Sequence, residues 1–110
     1  MGAVGPGKRS KISAAPEIKW SAQEKHFPGH NSYILKRSVL TSDPTKLASK
    51  AGTGQQVGNL PVGVPGSKER IKFDEVIGKY FDNESEKLVP TRNGIVHYAK
   101  DGIRIAPTRP

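Results

Sequence analysis

His97 and Arg104 are the side chains from which chemistry is most readily built. They lie in the stretch Pro90 to Pro107, PTRNGIVHYAKDGIRIAP. Two alternating apolar runs, Ile95 to Ala99 and Ile103 to Ala106, flank an Asp-Gly pair suited to a two-residue type I′ turn. With Asp101 and Gly102 as the turn, Tyr98 faces Ile105 and His97 faces Ala106. His97 and Arg104 are then diagonal neighbours, about 7–8 Å apart at the backbone and within side-chain reach. An imidazole exchanges protons near neutral pH, whereas a guanidinium stabilises negative charge without titrating. Period two places Val96, Tyr98, Ile103 and Ile105 on a core face and Ile95, His97, Ala99, Arg104 and Ala106 on the other. Lys100 shares the parity of the core face and, beside the turn, is expected in solvent.

A second group of polar residues lies upstream, in Glu24 to Thr41, EKHFPGHNSYILKRSVLT. Lys25 and His26 precede a Pro28-Gly29 turn. His26 and His30 have the i, i+4 spacing of a helical metal pair, but Pro28 and Gly29 break the helix that would align them. No carboxylate or cysteine stands at ligand spacing, so no metal is expected. Lys36, Arg37 and Ser38 form a basic, hydroxyl-bearing cluster, the kind usually found on a solvated face. Beside His26 it is also suited to gripping a phosphate.

These residues must be positioned by a small structure. The chain has 110 residues, a formal net charge of +8 and no cysteine. Residues 1–23, rich in Gly, Pro, Ser and Ala, carry four Lys or Arg against one Glu, or +3. Residues 24–110 carry fourteen against nine, or +5, so the folding part is itself basic. Residues 1–23 bury too little apolar surface to offset their ordering entropy and are expected to be a disordered arm, with Trp20 either docking on the domain or marking where the arm ends. That leaves a single small domain over 24–110. Disulfides and thiolate metal sites are excluded, and no apolar run approaches the length of a membrane span. The N-terminus shows no apolar signal region, so export is expected to rely on something beyond this chain. A basic domain of this kind points to a phosphate-rich or acidic partner, nucleic acid above all.

The only clear helix begins at Ser42-Asp43-Pro44, with a capping side chain, proline in the first turn, Leu47 and Ala48 on its apolar side and Gly52 as its stop. Gly52 to Gly66, GTGQQVGNLPVGVPG, reads as a long loop without a phosphate-binding signature. Alternation resumes at Lys68 to Phe73, followed by the apolar run Val76 to Phe81, an acidic tip at Asp82 to Glu86, and the two C-terminal strands. The expected fold is therefore α+β: a short N-terminal helical part followed by a four-stranded antiparallel sheet of consecutive strands.

Taken in order, several residues resemble a known family. These are Glu24-Lys25-His26 with Pro28-Gly29 and Asn31; Ser38 and Leu40; Ala51-Gly52-Thr53-Gly54; Lys68-Glu69-Arg70; Ile77-Gly78; Pro90-Thr91; and Val96-His97-Tyr98-Ala99-Lys100 with Gly102. The pattern resembles the bacterial polymorphic toxin type 50 domain, a ribonuclease-like module of secreted toxins, over about Glu24 to Pro107. The resemblance implies the superfold of barnase, EndoU, the tRNA-cleaving colicins and RelE. It also implies metal-independent transesterification of RNA to a 2′,3′-cyclic phosphate, with tRNA one possible target.

On that reading His97 and His26 share the acid and base roles, with Lys25, Arg104 and Thr91 completing the catalytic group. Lys36, Arg37, Ser38, Lys100 and Tyr98 would contact substrate. Family members often carry histidine where this chain has Arg104, which retains a cation but loses a titrating group and shifts weight to His26. The expected partners are an RNA substrate and an acidic immunity protein, with the chain a monomer that needs no cofactor. It would be delivered from its producer to act in the cytoplasm of a competing cell. The alternative is a basic RNA-binding module without catalysis. A DNA nuclease is disfavoured because no carboxylate cluster is suited to a divalent metal.

Overall fold

A computed structural model describes residues 16–27 and 38–110. Its strands follow the sequence alternation most closely at the C-terminus, where β6 (Asn93–Ala99) and β7 (Gly102–Pro107) form an antiparallel hairpin. Val96, Tyr98, Ile103 and Ile105 are buried, while Ile95, His97, Arg104 and Ala106 are half-buried on the opposite face. The faces are those expected, but the register is two residues tighter. Lys100 and Asp101 form the turn, and His97 stands directly opposite Arg104 rather than diagonal to it. A shift of two residues leaves every side chain on its own face.

Gly102 is required for a different reason than the expected turn. Its φ is +148°, and a Cβ there would lie 2.8 Å from the Glu17 carbonyl oxygen and 3.0 Å from the Lys19 nitrogen. The N-terminal segment runs that close because it hydrogen-bonds along β7. Ile103 N–H donates to Glu17 O at 2.9 Å, and Lys19 N–H donates to Ile103 O at 2.7 Å.

This contact corrects the expected boundary at residue 23. Residues 1–15 lie outside the described residues, but 16–23 belong to the fold. Ile18 bridges Ile103 in parallel, and α1 (Trp20–Gln23) continues into a 3₁₀ turn at Glu24–His26. Gln23 is fully buried. Its Nε2 donates to Ile105 O at 2.9 Å, and its Oε1 accepts from Ile105 N–H at 2.7 Å. One side-chain amide thus does for the edge of β7 what a neighbouring strand's peptide would do. Gln23→Ala leaves both backbone groups of Ile105 unpaired under cover, with an expected loss of about 2–3 kcal/mol in urea unfolding. A loss below ~0.5 kcal/mol would mean that water replaces the amide.

The single four-stranded sheet of consecutive strands is also corrected. There are two antiparallel sheets among the described residues. β2 (Gln55–Val57), β3 (Lys68–Lys72), β6 and β7 pair in the order β2-β3-β6-β7. β1 (Val39–Leu40), β4 (Gly78–Asp82) and β5 (Lys87–Thr91) pair in the order β1-β4-β5. The apolar run near Val76 to Phe81 therefore leaves the main sheet. The chain turns away after Phe73, whose N–H donates to Arg92 O at 2.8 Å, and Ile77 N–H donates to Thr91 O at 2.9 Å. The β4–β5 hairpin is thereby set aside, and β6 returns to pair with β3, Lys72 opposite Asn93. β2 comes from within the stretch expected to be a loop. Ile77, with no exposed surface, packs with Phe73, Ile71, Val96 and Ile105 in one core beneath the main sheet.

α2 (Pro44–Leu47) forms where its cap predicts. Asp43 Oδ1 accepts from Thr45 N–H at 2.9 Å, Pro44 opens the helix, and Leu47 and Ala48 are buried. Among the described residues, no helix is long and apolar enough to cross a membrane.

Candidate active site

The face of the main sheet opposite the core carries the candidate site. Pairing places Lys68 of β3 and Arg104 of β7 on either side of His97 of β6, each directly opposite it. Neighbouring strands lie about 4.8 Å apart, so the three side chains form one row across the sheet. The α1 segment adds the fourth member. Gln23 is clamped to Ile105, next in sequence to Arg104, and the 3₁₀ turn three residues on brings His26 above the guanidinium. His26 is only 3 % exposed. Its Nδ1 donates to the Ser38 carbonyl at 2.8 Å, and its Nε2 accepts from Arg104 Nη1 at 3.5 Å. A carbonyl only accepts, so Nδ1 of His26 carries a proton.

His97 is pushed down to a pKa of about 4. Burial is the largest cause, followed by the charges of Arg104 and Lys68 and then His26. The row therefore presents a neutral imidazole with an available lone pair between two permanent cations. This arrangement suits holding an anion, whose negative charge would in turn raise the basicity of the imidazole.

The other residues expected at the site are distributed differently. Lys25 is exposed on the 3₁₀ turn beside His26, and Lys100 is exposed in the β6–β7 turn. Ser38 serves His26 through its carbonyl, while its Oγ accepts from Phe81 N–H at 3.2 Å. Thr91 is buried at the end of β5, away from the row, donating from Oγ1 to Thr108 O at 2.8 Å and accepting from Asn93 N–H at 3.0 Å. Tyr98 faces the core, where its hydroxyl donates to Glu69 Oε1 at 2.6 Å. Burial and the Glu69 hydrogen bond and charge raise its pKa. Lys36 and Arg37 lie outside the described residues.

Lys68 and Gln23 are the members that sequence reading missed. Lys68 had a visible signal, because Lys68, Arg70 and Lys72 alternate with Glu69 and Ile71. What the alternation lacked was the pairing with β6. Gln23 had none, since a polar residue in a Gly- and Pro-rich arm looks solvated. Among the described residues, no three His, Asp or Glu side chains converge as metal ligands would.

Residues 18–107 match the family model described as bacterial toxin 50. The match begins at the residue that bridges onto β7 and ends with the last residue of β7, so it spans both sheets and the segment that closes the edge. No curated protein matches the chain.

Proposed function

The chain belongs to the bacterial toxin 50 family, and from that premise we propose that it is a metal-independent endoribonuclease. The observation that carries this reading is His97, neutral at physiological pH and flanked in register by Lys68 and Arg104. His97 takes the proton from a ribose 2′-hydroxyl, and the 2′-oxygen attacks the adjacent phosphorus. Lys68 and Arg104 stabilise the extra negative charge of the phosphorane. The bond from phosphorus to the 5′-oxygen breaks, leaving a 2′,3′-cyclic phosphate and a 5′-hydroxyl.

His26 supplies the proton for the leaving oxygen. When the Arg104 guanidinium turns to the phosphate, Nε2 of His26 takes up a proton from water while the Ser38 carbonyl holds Nδ1, and passes it to the leaving oxygen; His97 afterwards returns its own proton to water. The developing anion favours the His26 imidazolium. Two of the three largest causes that lower His97 are the charges of Arg104 and Lys68. A bound phosphate offsets both, raising the basicity of His97 as substrate arrives. RNA is selected over DNA because DNA lacks the nucleophile. As a toxin, the domain acts where RNA is abundant, in the cytoplasm of a target cell. Its producer is protected by an acidic immunity protein that covers the cationic face.

Incubating the protein with total bacterial RNA in excess chelator tests the reading. Discrete fragments ending in 2′,3′-cyclic phosphate are expected. Intact RNA at stoichiometric protein, with a salt-sensitive mobility shift, would replace the nuclease with an RNA-binding module.

A further inference from the structure

The row formed by Lys68, His97 and Arg104 occupies one end of the solvent-facing side of the main sheet. Along β3 from Lys68, Arg70 and Lys72 point the same way, two and four residues on. Successive members of this series are about 6.7 Å apart along a straight line. Gln55 of β2 and Ile95 of β6 flank Arg70, and Asn93 of β6 stands opposite Lys72. Thr53, Gly54, Gln55, Arg70, Lys72 and Asn93 line an open cleft of about 480 Å³. The guanidinium of Arg70 is oriented by a hydrogen bond from Nη2 to the Arg109 carbonyl at 2.9 Å, and Asn93 Nδ2 donates to the same oxygen at 3.4 Å. None of the side chains that the four strands place on this face is acidic. The carboxylate in the middle of β3, Glu69, is turned to the core and engaged there.

We propose that Lys68, Arg70 and Lys72 form a track for the backbone of single-stranded RNA, with Lys68 at the phosphate to be cut and Arg70 and Lys72 at the next two. The inference rests on RNA being the substrate. Its own support is the match between the side-chain repeat along β3 and the separation of successive phosphates in an extended strand. An A-form duplex presents its phosphates along a curved groove wall rather than in a straight row on a sheet. The amides of Gln55 and Asn93 border the track where riboses and base edges would pass, and both can donate and accept. The cleft is thus the binding site for the chain flanking the scissile bond, and a substrate must have at least two unpaired nucleotides on that side.

A fluorescent single-stranded 2′-O-methyl oligoribonucleotide, whose blocked 2′-oxygen prevents cleavage, is the probe. Its binding is followed by anisotropy across a range of salt concentrations. Single-strand binding loses about 0.7 in the slope of log affinity against log salt for each phosphate contact removed. Arg70→Gln with Lys72→Gln should flatten the slope by about 1.4 and weaken binding at least tenfold at low salt. The charge-keeping pair Arg70→Lys and Lys72→Arg should retain the slope. An unchanged slope in the glutamine variant would overturn the track even if the protein cleaves RNA. A flattened slope in a protein that leaves RNA intact would keep the track and remove the nuclease. If the charge-keeping pair lost the slope as fully as the glutamine pair, the effect would belong to β3 packing and the track would fall.

Discussion

His97→Ala is expected to slow RNA cleavage by about 10²–10⁴-fold, the usual worth of a positioned base, while the domain stays folded. The side chain lies on the solvent face of β6, half-buried, and its removal opens no cavity in the core. The pH profile provides a second readout. With the folded pKa at about 4, a proton occupies His97 only below that value, and occupying it removes the base. In the profile of kcat/KM, which reports free enzyme, the limb that marks loss of the base should fall near pH 4 and not in the ordinary histidine range. Arg104→Gln removes the second-largest cause of the shift. It should move the acid limb upward while burial keeps it below the usual histidine value. Full cleavage by folded His97→Ala protein would end the assignment. An acid limb at the usual histidine value, unmoved by Arg104→Gln, would place the base elsewhere.

The largest expected effect on stability belongs to Glu69. This carboxylate has no exposed surface and accepts three hydrogen bonds: Tyr98 hydroxyl at 2.6 Å, Gly52 N–H at 3.0 Å and Gly54 N–H at 2.6 Å. It ties the start of the glycine-rich segment to the centre of the main sheet. Gly54 approaches so closely that a Cβ there would lie 2.2 Å from the Arg70 carbonyl oxygen. Glu69→Ala leaves a phenol hydroxyl and two backbone donors without partners, and an orphaned buried group costs about 1–3 kcal/mol. Some collapse of the site makes these costs less than additive, so about 3–5 kcal/mol is expected in urea unfolding. That is a large share of the roughly 5–15 kcal/mol that holds a domain together. Tyr98→Phe removes one of the three donors and should cost less. The double variant should show coupling, because the orphaned hydroxyl is gone. A Glu69→Ala loss under ~1 kcal/mol would show that water enters and satisfies the loop, and the carboxylate would then have no structural claim. Gly54 also borders the cleft beside β3, so loosening this tie is expected to disturb that cleft as well.

Some features of this protein were determined by local sequence. The capping Asp43, Pro44 and the Leu47-Ala48 side made α2, and the alternation of Ile95 to Ala106 assigned His97 and Arg104 to one face and Tyr98 to the other. The basic charge was equally plain. These are matters of parity and nearest neighbours, which survive a two-residue error in register because a strand repeats every two residues. What stands opposite what is a different matter. His97 faces Arg104 directly because Lys100 and Asp101 make the turn, and Gly102 instead opens β7 against the Glu17–Lys19 segment, an approach that no residue near the turn encodes. Lys68 reached His97 only because the β4–β5 hairpin was set aside, which let β3 pair with a strand more than twenty residues away. Gln23 and His26 were positioned by the unsatisfied edge of β7, a need that exists only once the sheet is formed. Local pattern thus chose the groups that could act and the faces they occupy. Long-range pairing, with the requirement that every buried backbone group find a partner, decided which of them meet.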